Sequence, residues 1–343
     1  MFYNSHDFIK NLTGNTKPVL RYDGKSDLKK WQAAAREKLY ELLGLPFAEC
    51  DDLFKIKNIC KKNTHKQIDF IFQSEKDYFV QGSLCVPNDA KEPLPIVICL
   101  LGHATGMHIG MGIAKYQGDQ ELIDSGRDFV RQAISQGYCA AIIEWRYMGE
   151  AGRYEADGGP LCARKNAALP ALLLGRSAIG ERVWDVKRLM DVIEKNFREY
   201  VDTERIICMG HSGGGTACFY TSCIDERIKL SMPSGSFCSF DASIIPLHHC
   251  CCNYIPGIRK YFDMGDLAML IAPRIFLPVC GINDRDFPID GVKKSFNEVK
   301  QVYEAIGKGD ICRLVEGNGG HQFYPDDAWP IANSLQGKYI TEV

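Results

Sequence analysis

Short, wholly apolar runs that alternate with amphipathic segments constrain this chain more than any other feature. PIVICLLG (95–102), CAAIIEW (139–145) and RIICMG (205–210) are too brief for helices and show no polar alternation. IKLSMPSG (228–235), RIFLPVCG (274–281) and ICRLVEG (311–317) continue the series. A strand that is apolar on both faces must be covered on both faces. That is the condition of a parallel sheet between two helical layers. The spacing predicts those helices over 126–136, 181–196, 216–223 and 292–306. In the second of them Val183, Val186, Leu189, Met190, Val192 and Ile193 form one apolar stripe, which is core.

Upstream the pattern changes. KQIDFIFQSEKDYFVQGSLCVP (66–87) reads as a hairpin turning at 74–77. DLKKWQAAAREKLYELLGLP (27–46) reads as an amphipathic helix, started by Asp27 and stopped by Gly44 and Pro46. Residues 1–26 are expected to be an extended arm. The chain thus divides into an N-terminal arm and helix (1–65) packed on one α/β domain (66–343).

Composition excludes more than it assigns. A formal net charge of −2 gives no basic field, so nucleic acid is not an expected partner. The N-terminal residues lack a secretory pattern, and the longest apolar runs fall far short of the ~20 residues of a membrane span. Fifteen cysteines, an odd number scattered through apolar runs, suit a reducing, cytoplasmic setting better than a disulfide framework. A homo-oligomer is compatible with this composition.

The sharpest chemical signal is Gly210-His211-Ser212-Gly213-Gly214, set between the run RIICM and a helix. A turn this tight forces its central residue into strained backbone and presents the side chain at the strand's end. A serine hydroxyl there needs a base to become a nucleophile. Where such a turn carries a nucleophile, the chain order is Ser, acid, His. His321, in EGNGGHQF, is the one histidine downstream of the strand that should supply the acid. The acid is expected in GINDRDFPID, where Asp284 and Asp286 compete and Asp284, nearer the strand, is preferred. The Gly213 amide is expected to give one oxyanion donor. The second should come from the loop after PIVICL, through the His103 amide or else Ala104. Arg146, Glu150 and Arg153 are candidates to line the substrate pocket.

His248-His249-Cys250-Cys251-Cys252 invites a metal reading. Five consecutive side chains cannot all face one ion, and no second ligand motif accompanies them. A loop packed beside the pocket is the expectation, with no metal and no cofactor.

These motifs resemble the acetyl-xylan-esterase and dienelactone-hydrolase-like branch of the α/β hydrolases. The resemblance runs from about Asp27 to Gln322 and includes LLGHATGMHIG, EWRYMGEAG, LLLGRSAIGERVWDVKRLMDVIE, GHSGGG, CNYIPGIRKYFDMGDLAMLIAPR and GINDRDFP. It implies an α/β-hydrolase fold, a mostly parallel doubly wound sheet with an N-terminal helical extension. It also implies a Ser212–Asp284–His321 triad acting on a small-molecule ester, with short acyl groups, acetyl above all, on an alcohol or sugar. Two positions depart from the pattern. Leu101 stands where histidine is usual, and Glu144-Trp145-Arg146 replaces Asp, a small residue and Arg.

Overall fold

A computed structural model describes residues 4–152 and 168–339; Arg153 lies outside them. Its strands are β1 Lys55–Lys61, β2 His65–Glu75, β3 Tyr78–Pro87, β4 Leu94–Leu100, β5 Cys139–Ile143, β6 Val201–His211, β7 Ile228–Ser234, β8 Ile275–Phe276, β9 Val279–Gly281 and β10 Val315–Gly317. Its helices are α1 Ser5–Asn15, α2 Leu28–Leu42, α3 Asp119–Leu122, α4 Phe129–Ser135, α5 Leu169–Leu172, α6 Ala178–Asn196, α7 Gly213–Ile224, α8 Met264–Ala268, α9 Ile289–Ala305 and α10 Pro325–Tyr339.

All strands join one sheet in the order β1-β2-β3-β5-β4-β6-β7-β9-β10, with β8 beside β7. The pairs β1·β2, β2·β3 and β3·β5 are antiparallel; every pair from β5·β4 onward is parallel. This is the α/β-hydrolase fold. The apolar runs explain the parallel half. Ile96, Val97 and Ile98 of β4 and Ile206, Ile207, Cys208 and Met209 of β6 are fully buried. The stripe on α6 is buried as its spacing predicts.

The amphipathic extension packs as expected. Asp27 caps α2 through the Lys30 amide, Ala35 and Leu39 are buried, and Gln32 donates to the Met269 and Ala272 carbonyls at 2.8 Å each.

Four features differ from the sequence expectation. The arm contains a helix, α1, capped by Asn4 but with no buried residue. Residues 55–61, placed with the arm, are a strand, β1, which pairs with β2. Its residues are exposed with one exception, so it lacks the apolar signature of the inner strands, and its three lysines suit a sheet edge. RIFLPVCG splits into β8 and β9 because Pro278 has no N–H to give to a ladder. ICRLVEG contributes strand only from Val315, its start being the single turn Gly309–Ile311.

Candidate active site

β6 ends at His211 and α7 begins at Gly213, so Ser212 alone makes the turn. Its backbone stands at φ 57°, a left-handed conformation that costs a residue bearing a Cβ and persists only where the surroundings enforce it. They do so from both sides. The Ser212 N–H donates to the Ser234 carbonyl on β7 at 2.8 Å, and its own carbonyl accepts the Thr216 N–H at 2.8 Å. The strain fixes the hydroxyl beyond the C-terminal edge of the sheet.

The loop after β4 closes against this turn. A Cβ on Gly102 would lie 2.7 Å from the His211 carbonyl and 2.9 Å from Ser212 Cβ, so only glycine allows the approach. The next amide in the chain belongs to His103, and the expected oxyanion donors therefore sit on adjoining segments. The loop is held from beneath by buried Asp119. Its carboxylate accepts Thr105 Oγ1 at 2.5 Å and the Lys115 and Tyr116 amides at 2.7 Å, and it meets His108 Nε2 at 2.9 Å. Burial opposes the charge of Asp119, but these bonds outweigh it and hold the carboxyl at about 2.

His321 lies on the loop after β10. Its Nδ1 is 2.7 Å from Asp284 Oδ2, and the Asp284 side chain is 1% exposed. The other oxygen of Asp284 accepts the amides of Asp286 and Phe287 at 2.8 and 3.2 Å. Asp286 is half exposed, and its carboxylate stays 4.0 Å from His321 Nε2. The geometry thus pairs the ring with Asp284 and leaves Asp286 to the solvent side. The His321 ring is flanked by His211, with centroids 4.6 Å apart, and stacks on Phe287 at 6.0 Å. A Cβ on Gly235, directly after β7, would sit 2.9 Å from both imidazoles. Gly235 and His211 both adjoin the Ser212 backbone contacts, so the ring lies at the serine. The hydroxyl and the ring do not hydrogen-bond in this conformation; such pairs commonly close only with substrate in place. His211 is fully buried, its Nδ1 3.0 Å from Ser234 Oγ, and burial drives its pKa well below the usual value. A neutral His211 places no charge against His321.

The predicted pocket residues part company. The Arg146 guanidinium is buried and committed to Asp185 at 2.7 and 2.8 Å and to Glu75 at 2.6 Å, so it faces the core. Glu150 is exposed on a groove shared with Met107, Met111 and Glu144, on the flank of the loop after β4. Glu144, which replaces the usual Asp, accepts the Met107 amide at 3.1 Å, and burial pushes its carboxyl up to about 7. Of the 248–252 run, His249 contacts Ser243 Oγ at 3.1 Å, while Cys251–Asn253 forms a single 3₁₀ turn. Cys250 and Cys252 stand with His103 in one group, their donor atoms all within 4.8 Å of one another. The donors are soft enough for a metal such as zinc. The sequence could not show this group, because His103 comes from a loop almost 150 residues away.

The profile of the Abhydrolase family matches residues 2–306. The chain belongs to that family. Within and around it, the chain is 28% identical over 254 residues to YtaP of Bacillus subtilis (strain 168), covering 71% of this chain and 77% of YtaP. It is 26% identical over 193 residues to the 4-O-methyl-glucuronoyl methylesterase of Phanerochaete carnosa (strain HHB-10118-sp), covering 48% of this chain and 47% of that enzyme. In three dimensions it superimposes on a Bacteroides fragilis NCTC 9343 protein described as an acetyl xylan esterase. The TM-score is 0.80 at 16% identity, over 98% of this chain and 96% of that one, a likeness of fold. The Abhydrolase fold accounts for the position of the site, at the C-terminal ends of β4, β6, β7, β9 and β10.

Proposed function

We propose that this chain is a serine carboxylic-ester hydrolase that removes short acyl groups, acetyl foremost, from an alcohol or sugar. The observation that carries the reading is the buried Asp284 carboxylate on His321 Nδ1, with the ring set against the strained Ser212 turn. That arrangement holds one tautomer of the imidazole and leaves Nε2 without a hydrogen bond among the described residues, available to act as the serine's general base. Ser212 Oγ attacks the acyl carbon while Nε2 takes its proton. The charge that develops on the carbonyl oxygen is received by the Gly213 and His103 amides. The imidazolium returns its proton to the departing alcohol, and water repeats the sequence to release the acid. A small-molecule ester is the only partner this chemistry needs. A cytoplasmic, reducing setting suits cysteines that are mostly buried as free thiols. Among the described residues no helix is long and apolar enough to cross a membrane.

The likeness to a glucuronoyl methylesterase favours a second reading, in which the acyl group is a sugar acid and the alcohol is methanol. One experiment separates the two. The purified protein is labelled with a fluorophosphonate. It is then offered p-nitrophenyl esters from acetate to octanoate, acetylated xylo-oligosaccharides and methyl glucuronate, with acetate and methanol release measured. Acetate release with preference for the shortest p-nitrophenyl esters is expected. Methanol release alone would establish the second reading, and an unlabelled, inactive protein would refute both.

A further inference from the structure

Arg182, near the start of α6, is a fully buried guanidinium with an incomplete set of partners. Nη2 donates to the Arg146 carbonyl at 3.4 Å, and the Trp145 ring centroid lies 5.5 Å from the guanidinium carbon. Nε and Nη1 have no hydrogen-bond partner among the described residues. The neighbouring carboxylates are taken by other arginines. Asp185 holds Arg146 in a two-point bond, Glu75 binds Arg146 and Arg176, and Glu181 binds Arg176 and the Tyr147 hydroxyl. Arginine keeps its charge even when buried, and although Glu181 feels that charge it makes no hydrogen bond to Arg182, so two desolvated donors stay unpaired at a cost to the fold. Such a group persists where its partner arrives with function.

Its direction identifies the partner. Arg182 Nη1 lies 3.5 Å from the point where a Cβ on Gly213 would stand, with His103 Cε1 at 3.6 Å and Gly102 Cα at 4.0 Å from the same point. Gly213 and the 102–103 segment are the two sides of the expected oxyanion hole. The open guanidinium nitrogen therefore looks into the space where negative charge develops. A neutral ester carbonyl draws little from it, whereas a full oxyanion draws a charge-assisted hydrogen bond in a site shielded from water.

We propose that Arg182 is a catalytic residue, a charged third donor to the oxyanion of the tetrahedral intermediate. The proposal rests on the serine-esterase reading. As the new bond forms between Ser212 Oγ and the acyl carbon, the carbonyl π pair moves onto oxygen and the serine proton passes to His321 Nε2. Arg182 stabilises that oxygen together with the two amides. The pair then returns to rebuild the carbonyl, the bond to the alcohol breaks, and the alcohol leaves with the proton from His321.

The test compares wild type and Arg182→Met on one p-nitrophenyl ester and measures inhibition by phenylboronic acid, which forms an anionic tetrahedral adduct on serine. We expect kcat to fall about 10²–10³-fold with KM changed less than about threefold, and boronate affinity to weaken in step with kcat. A kcat within about threefold of wild type would overturn the proposal. So would a loss confined to KM with boronate affinity intact, which would make Arg182 a ground-state anchor. If Arg182→Met shows no cooperative melting, Arg182→Lys is read in the same way. It keeps the charge but not the planar fork, so a loss of about tenfold with parallel weakening of boronate is expected, and full activity overturns the assignment. A wild type that neither hydrolyses esters nor takes fluorophosphonate refutes the esterase reading and this proposal with it. An active wild type with an equally active Arg182→Met refutes the proposal alone.

Discussion

Two buried polar clusters near the C-terminal edge of the sheet follow opposite rules. In the first, Glu75, Arg146, Arg176, Glu181 and Asp185 tie β2, the loop after β5 and the start of α6 into one ion-pair network. Arg146 also stacks over Tyr78, its guanidinium carbon 4.1 Å from the ring centroid. In the second, Asp284 is saturated by two amides and by His321, yet the far side of the ring and the Ser212 hydroxyl are left open. Both clusters contain buried charge. The closed one holds segments together, and the open one has groups to offer a reacting molecule. Arg182 belongs in sequence to the first cluster, between Glu181 and Asp185, and approaches Gly213 beside the second; it joins the burial of the first to the open valence of the second.

The contrast is broken most severely at the serine. Ser212→Ala should lower turnover by roughly 10⁴–10⁶ while leaving the melting temperature nearly unchanged, because the hydroxyl bonds to nothing that folds the chain. A variant retaining a tenth of the activity would remove Ser212 from the mechanism.

The next largest effect separates two carboxylates two residues apart. Asp284→Asn should favour the wrong imidazole tautomer and cost about 10⁴ in turnover. Asp286→Asn, altering an exposed side chain, should cost no more than about tenfold. Both variants need matching circular dichroism before turnover is compared; a reversed ranking would transfer the acid role to Asp286.

The closed cluster should respond in stability instead. Arg146→Met strips the buried Asp185 carboxylate of its guanidinium, while Glu75 keeps Arg176, and should lower unfolding free energy by about 3–5 kcal/mol in urea titration. Turnover per folded molecule should change far less. Full stability with lost activity would move Arg146 into the substrate site.

Smaller still is a pH effect at Glu144. Its folded-state pKa of about 7 lies above its ordinary value, so the folded chain binds this proton more tightly than the unfolded chain does. The contribution of Glu144 to stability is therefore greatest at low pH, declines as pH rises from about 4.5 to about 7, and levels off above. Glu144→Gln keeps an acceptor for the Met107 amide but has no proton to lose. Its unfolding free energy should fall less than that of wild type between pH 5 and pH 8, by up to about 3 kcal/mol. An identical pH dependence in both proteins would contradict the assignment.

The smallest expected effect is none. Prolonged EDTA treatment should leave ester hydrolysis unchanged, since serine, histidine and amide donors complete the mechanism. Activity lost and then restored by zinc would bring His103, Cys250 and Cys252 into the chemistry.

What could be read in advance followed the range of the forces involved. The inner strands, α6 and the Ser212 turn are dictated by neighbours in the chain: apolar runs, helical spacing, glycines beside a serine. They were legible for that reason. The helix α1 and the edge strand β1 were not, because neither buries the apolar stripe that periodicity detects. α10 was also unforeseen, and it carries Pro330 in its interior, a residue that ordinarily argues against helix.

For this protein, the sequence by itself determined a parallel sheet with a nucleophile-type turn and put forward the residues proposed to serve it. Periodicity and backbone strain are local properties, so no partner from elsewhere is needed to recognise them. Only the tertiary structure decided which carboxylate meets His321, that Arg146 faces Asp185 and Glu75, and that Arg182 looks toward Gly213. Those outcomes depend on distances of a few ångströms between segments up to about seventy residues apart. Burial there multiplies the value of a charge pair that is made and the cost of one that is missed.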